Sequence, residues 1–360
     1  MINVKNHELR PLCVSILQSA GAPLDIASTV VDSLLDASLR GYDSHGIVRI
    51  PQYVQDIHAG QIQPSARPSV INEGPAFAVI NGNYGFGPLA GRLATEVAIN
   101  KASRIGLAMV CIRSTNHLGR IGEYPERIAR NGLVGLAFSN ALTPRVAPFG
   151  GARACLSPEV ISVAAPIPVS SDCEDPFLLD ITCSVIPEGK VRLCRNQGIP
   201  LPEGAVIDAA GRPTTDPAAY YGPPEGALLP MGGPVAYKGY GLGLVCELLA
   251  GAMGGTGCSG ESEEEESGLF LLAVDPAVFV PMERFSWSAV GLFERVKSCP
   301  TASGVESVLI PGEIESRTAR IRKEEGIPID DETWKRLAEA ADESGYPINA
   351  PTAKREELNQ

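Results

Sequence analysis

The sequence predicts an α/β protein, and three observations carry that prediction. Segments of helical period alternate with short apolar runs of strand type. Glycine and proline, 38 and 30 of 360 residues, are spread through the middle as tight turns rather than gathered into a disordered tract. The balance of 44% hydrophobic to 20% charged residues is that of a soluble globular chain. The length is large for one core and points to two or more lobes.

Residues 5–40 read as helices. A run opening at Leu24-Asp25 sets Val30, Val31, Leu34, Leu35 and Leu39 at helical spacing, and Asp25 can cap it. Pro51 is comfortable only in a helix's first turn, so residues 44–50 form a turn or short helix before a new helix carrying Tyr53 and Val54. Residues 60–70 look like a linker. Residues 76–80 read as a strand and Asn81-Gly82 as a hairpin-type turn. A helix over 92–104 turns Ala94, Val97, Ala98 and Ala102 inward. Strand 107–112, helix 121–131 and strand 133–139 follow, then buried strands 160–165 and 177–181. A buried helix over 240–252, strand 269–274 and helix 332–341 precede a frayed tail, 352–360. No internal repeat is present.

Composition excludes several classes of function. The net charge of −12 argues against nucleic acid or an anionic membrane as the main partner. Nine cysteines, an odd number without a Cys-x-x-Cys pair, suggest neither a disulfide framework nor a zinc site, and read as reduced thiols. The N-terminus, Met1-Ile-Asn-Val-Lys-Asn-His-Glu, has no apolar signal core, and the most membrane-like run, 239–255, is broken by Glu247 and glycines. A cytoplasmic location is expected. The acidic run 261–266 reads as a solvated loop, and with no histidine beside it no metal site is expected.

The chemistry concentrates in two stretches. With only four histidines in the chain, His45 stands out in Ser44-His45-Gly46, followed by Arg49 and Tyr53. A proton carrier, a hydroxyl, a guanidinium and a phenol within a few turns suit a small carboxylic acid. The bland reading of Arg49 is an ion pair with Asp43 or Asp56. A Ser–His hydrolase is disfavoured, because sequence neighbours rarely meet as nucleophile and base and no G-x-S-x-G elbow occurs. The second stretch, Ser114-Thr-Asn-His117-Leu-Gly-Arg-Ile-Gly122, lies at a strand-to-helix turn and makes a plausible anion or amide site.

Two glycine patterns fail as dinucleotide fingerprints. Gly255-Thr-Gly-Cys-Ser-Gly260 follows a helix and precedes the acidic run. Gly85-Phe-Gly-Pro-Leu-Ala-Gly91 has Pro88 where a phosphate would need an N–H, so a tight turn with a close helix contact is preferred. Asp180-Ile-Thr182 ends a strand. Tyr237-Lys238-Gly239 opens the apolar helix, where a lysine can hold a phosphate or ribose.

Taken together, the chain resembles the malate/L-lactate dehydrogenase family of the non-Rossmann type. That family includes ureidoglycolate, sulfolactate and diketogulonate oxidoreductases and Δ1-piperideine-2-carboxylate and Δ1-pyrroline-2-carboxylate reductases. The matching stretches, in the family's order, are Gly41-Tyr-Asp-Ser-His-Gly-Ile-Val-Arg-Ile-Pro-Gln-Tyr53, Ser114-Thr-Asn-His-Leu-Gly119, Val146-Ala-Pro-Phe-Gly-Gly151, residues 204–217 with Pro213-Thr-Thr-Asp-Pro217, Tyr237-Lys-Gly-Tyr-Gly-Leu242, Ala273-Val-Asp-Pro276 and Ile310-Pro-Gly-Glu313.

The resemblance implies an α/β fold with a family-specific, non-Rossmann NAD(P)-binding sheet domain (residues 76–313). It adds a helical domain from both chain ends (1–75 plus 314–360), a homodimer, NAD or NADP, and no metal. By the family's pattern His45 is the acid/base supported by Ser44, and Arg49 binds the substrate carboxylate, with Tyr53, His117 and Ser157 also at the substrate. His117, Leu118, Gly119, Arg120, Ile121, Asp180, Ile181, Thr182, Tyr237, Lys238, Pro311, Gly312 and Glu313 match stretches that line the cofactor. The chain departs from the family at Cys155-Leu-Ser-Pro-Glu159, where Gly-Thr-Asn-Pro is common. Lys190 stands where the imine reductases carry an acidic partner for the Ser–His pair, which tilts the reading toward a 2-keto/2-hydroxy acid. The alternatives are a cyclic imine carboxylate reductase and a non-catalytic dinucleotide-binding relative.

Overall fold

The computed structural model describes residues 2–170, 173–262 and 266–343. Strand β1 (Ile2–Val4) leads into helices α1 (Asn6–Ser19) and α2 (Leu24–Leu39). Two 3-10 turns, Asp43–His45 and Ile47–Arg49, precede α3 (Ile50–His58). Then come β2 (Ser69–Glu73), β3 (Phe77–Asn81), α4 (Gly87–Ile105), β4 (Leu107–Thr115), α5 (Glu123–Ala129), β5 (Val134–Ala141), β6 (Val160–Ser170) and β7 (Cys173–Thr182). Helix α6 (Glu188–Gln197) is followed by β8 (Val206–Ile207), β9 (Pro213–Thr214), α7 (Ala218–Tyr221) and β10 (Ala227–Leu228). Helix α8 (Tyr237–Cys246) runs on as a π-helical turn, Glu247–Met253. The described chain ends with β11 (Ser267–Val274), α9 (Met282–Lys297), α10 (Glu313–Glu325), β12 (Ile327–Ile329) and α11 (Asp331–Glu343).

Seven strands form the main sheet in the order β2-β3-β4-β11-β5-β6-β7. Only β3 and β4 run parallel, and the other neighbours are antiparallel. A doubly wound dinucleotide fold needs parallel neighbours joined by crossovers, so this sheet is of another kind. Helix α4 lays Ala90, Ala94, Ala98 and Ala102, spaced four apart, onto Ala108, Val110 and Ile112 of β4 and Leu269 and Leu271 of β11. The alanine stripe lets the helix approach closely. A second core joins Val30, Val31, Leu34 and Leu35 of α2 to α1, α3, Ile327, Ile329 and Leu337. The chain's two ends meet here, with Ile2 opposite Ile329 in an antiparallel ladder.

Several expectations are corrected. Asp25 does not cap α2: Pro23 holds the cap position, and Asp25 sits in the first turn paired with Arg67. The stretch taken as a linker ends in strand β2, which pairs with β3, so the hairpin turn lies at residues 74–76. Asn81-Gly82 is no hairpin, because β3 and β4 are parallel and α4 intervenes. Of residues 177–181 only Leu178 is fully buried, β7 being the sheet's edge. The helix over 240–252 is not wholly buried: Leu242, Leu244, Val245 and Leu248 face outward. No described helix is long and apolar enough to cross a membrane. The tail 352–360 lies outside the described residues, as does the middle of the acidic run.

Candidate active site

The site begins with how residues 43–49 lie on α2. Ser38 Oγ accepts a hydrogen bond from the Ile47 amide at 3.0 Å. A Cβ at residue 46 would sit 2.0 Å from that same oxygen, so only glycine permits the approach. The tight turn places Ser44, His45 and Arg49 on one rim. Ser44 Oγ lies 2.9 Å from His45 Nδ1. Arg49 Nε donates to the Ser44 carbonyl at 2.7 Å, and Nη1 donates to Gln52 Oε1 at 2.6 Å. Asp43, one alternative partner for Arg49, pairs with Arg322.

His117 enters from the turn after β4. Tyr53 Oη, from α3, lies 2.8 Å from His117 Nδ1. The His45 and His117 rings stack with centroids 5.4 Å apart and planes 24° from parallel. Burial pushes the His45 ring down to about 3, with Arg49 and Arg192 adding to the effect and Glu188 opposing it. Burial, Arg49 and His45 hold His117 well below the ordinary imidazole range. Both rings are therefore neutral at physiological pH.

These groups open onto a cavity of about 420 Å³. His45, Arg49, Asn116, His117, Leu118, Gly119 and Ile121 form one side, and Ser139, Ala141, Ser157, Glu159 and Thr182 another. Ser157 Oγ accepts from the Ala141 amide at 3.0 Å and donates to Glu159 Oε1 at 3.3 Å. Glu159, 2% exposed, also hydrogen-bonds the buried Glu247. Burial and that neighbour push the Glu159 carboxyl up to about 10, so it is protonated at neutral pH. Helix α6 closes the third side. A Cβ at Gly189 would lie 2.4 Å from Ser44 Cβ, so α6 sits directly against the Ser–His pair.

The structure thus brings Ser44, His45, Arg49, Tyr53, His117, Leu118, Gly119, Ile121, Ser157 and Thr182 together. Other expected residues stand back from the cavity. Arg120 is 2% exposed and bonds Asp36 at 2.8 Å and Glu126 at 2.7 Å. Asp180 accepts from the Gly122 amide at 3.1 Å, and Ile181 follows it on β7. Tyr237 and Lys238 are exposed at the start of α8. In the turn before α10, Pro311 accepts from the Leu178 amide, Gly312 adopts a left-handed φ of 100°, and buried Glu313 pairs with Lys297.

Glu188, Arg192, Tyr220 and Glu247 were not singled out as site residues. The i,i+4 spacing of Glu188 and Arg192 and the charge of Glu247 inside an apolar helix were their signals. Lys190 is exposed, and the carboxylate whose charge reaches His45 is Glu188.

Residues 4–338 match the malate/L-lactate dehydrogenase family. The chain is 36% identical over 340 residues to the L-sulfolactate dehydrogenase of Methanocaldococcus jannaschii, covering 93% of this chain and 95% of that one. A putative malate/lactate dehydrogenase from E. coli superposes with a TM-score of 0.88 at 31% identity, over 96% of each chain. The Δ1-piperideine-2-carboxylate reductase of Pseudomonas syringae pvar. tomato superposes with a TM-score of 0.81 at 28% identity, over 94% of this chain and 100% of that one. Fold, paired histidines and relatives together define an oxidoreductase built on a sheet outside the doubly wound class. The chain belongs to the malate/L-lactate dehydrogenase family, and membership implies a nicotinamide cofactor.

Proposed function

We propose that this protein transfers a hydride between NAD or NADP and the α-carbon of a small 2-hydroxy/2-keto acid of the malate, lactate or sulfolactate type. The observation that carries the reading is the convergence of Arg49, His45 and His117 on one cavity of about 420 Å³. Cavities of roughly 300–1,000 Å³ suit small ligands.

Arg49 holds the substrate carboxylate through charge-assisted hydrogen bonds. That anion offsets the guanidinium charge which depresses His45, so substrate binding raises the affinity of the ring for a proton. His45 then gives its proton to the carbonyl oxygen in reduction, or removes it from the hydroxyl in oxidation, while Ser44 Oγ on Nδ1 fixes the ring. His117, steadied by Tyr53, and Ser157 border the substrate. A bound nicotinamide supplies or accepts the hydride. Leu118, Gly119, Ile121 and Thr182 line the cavity and would hold its ring, and the buried Tyr220 hydroxyl in the cavity wall has no protein partner. Asp180, Ile181, Tyr237, Lys238, Pro311, Gly312 and Glu313 would hold or brace the remainder of the dinucleotide. Arg120 braces the 117–122 turn from behind.

The helical core supports a unit built from both chain ends, and the sheet supports a cofactor unit that takes in β2. Trp287 and Phe279, 74% and 76% exposed, and the outward leucines of α8 support a homodimer. The net charge of −12 supports a cytoplasmic role with neither nucleic acid nor an anionic membrane as partner.

A panel of 2-keto acids and cyclic imine carboxylates, assayed with NADH and with NADPH by loss of reduced-cofactor absorbance, tests the reading. Turnover of 2-keto acids is expected. Cofactor binding without any turnover would contradict it. The second reading, reduction of a cyclic imine, is favoured by Glu188, whose charge beside His45 suits a protonated imine nitrogen. Imine turnover far above keto-acid turnover selects it.

A further inference from the structure

The cavity receives two guanidinium groups from separate elements. Arg49 comes from the turn before α3, and Arg192 from α6. The charges of both reach His45, which therefore lies within the field of each. One carboxylate on a 2-hydroxy acid requires only Arg49.

Arg192 is held in place. Glu188, one turn earlier on α6, accepts from Arg192 Nη2 at 2.8 Å and from the Tyr221 hydroxyl at 2.8 Å. Tyr221 is fixed in turn by Arg195, whose guanidinium sits 4.7 Å over its ring. The α6 backbone is seated on Ser44 by the Gly189 contact. A guanidinium offers five N–H donors, more than Glu188 and one phenol oxygen consume. The arrangement is a fixed cation beside the proton carrier with donors to spare.

Resting on the 2-hydroxy/2-keto acid reading, we propose that Arg192 is a specificity-determining residue that binds the distal acid group, carboxylate or sulfonate, of a dianionic C3–C4 substrate. Glu188 sets the position of Arg192 and moderates its charge, so that a dianion is held without permanent capture. The planar fork suits either distal group, because both present coplanar or tripodal oxygens to paired N–H donors.

The test is steady-state kinetics on the full chain with reduced cofactor and three probes: pyruvate, oxaloacetate and 3-sulfopyruvate. The readout is the ratio of kcat/KM for each dianion to that for pyruvate. Arg192→Gln is expected to lower both ratios about 10- to 100-fold, mainly through KM, as loss of a charge-assisted hydrogen bond does. Glu188→Gln keeps an oxygen that accepts from Arg192 and Tyr221 but removes a repulsion, and is expected to raise them. The sulfonate and carboxylate arms show which distal acid the site prefers. Ratios within about twofold of the unmodified protein in both variants overturn the inference. Absence of turnover with all three keto acids, or turnover confined to a cyclic imine, instead removes the reading beneath it. Arg192 is half exposed, and Glu188 keeps the Tyr221 hydroxyl as a donor when the guanidinium is replaced.

Discussion

His45 and His117 lie ring on ring, 5.4 Å apart, each held at Nδ1 by a different hydroxyl, Ser44 Oγ and Tyr53 Oη. Two imidazoles so close titrate as a pair, and the first proton bound repels a second. The proposed roles, proton transfer at His45 and substrate orientation at His117, are separable by mutation.

Tyr53→Phe removes the hydroxyl that steadies His117. A buried ring nitrogen without its partner costs about 1–3 kcal/mol, which urea denaturation reads. Turnover should fall about 10-fold through loss of orientation while cofactor affinity persists. Unchanged stability and turnover together would show that the hydrogen bond is incidental.

Arg49→Lys replaces a planar fork with a point charge. The Michaelis constant for the best 2-keto acid should rise about 10- to 100-fold, with a smaller change in kcat. Equal Michaelis constants would remove Arg49 from the carboxylate.

Arg120→Met removes one of the two guanidinium groups that bond both Asp36 and Glu126, the other being Arg40. Stability should drop by about 1.5–3 kcal/mol in equilibrium unfolding, the effect of losing charge-assisted hydrogen bonds while Arg40 still pairs with both carboxylates. A drop below about 1 kcal/mol would place the strength of that region in apolar packing instead.

Protons couple to stability in opposite senses at two places. Glu159, raised from 4.5 to about 10, keeps a proton that the unfolded chain gives up, so stability should fall as pH rises through that interval. His45, lowered from 6.5 to about 3, refuses a proton that the unfolded chain takes, so stability should fall as pH drops through that window. Glu159→Gln keeps the shape and a hydrogen-bond donor but cannot titrate. Thermal unfolding of this variant should lose much less stability than the unmodified protein between pH 6 and pH 9. Parallel losses in the two proteins would disprove the neutral acid at the cavity wall.

The legible parts of the chain were those where local pattern and tertiary role agree. Val30, Val31, Leu34 and Leu35 announce the buried face of α2 because that face is the core. Ser69–Glu73 was invisible as a strand because every residue of this edge element is exposed, so no alternation marks it. Helix α9 was missed for a related reason: it has no fully buried residue, and Trp287 and Leu292 face outward. His45 and Arg49 were readable because they share one turn. Glu188, Arg192 and Glu159 were not, since only the folded chain brings them to the cavity of His45 and sets Glu247 against Glu159. The ladder joining β1 to β12 is invisible for the same reason.

The account stands most directly on His45→Ala, assayed for turnover of the best 2-keto acid alongside a fluorescence titration of reduced cofactor. A loss of about 100- to 10,000-fold in kcat with cofactor affinity nearly intact is the expected result. Turnover that survives the loss of this imidazole would contradict the proposal that His45 moves the proton.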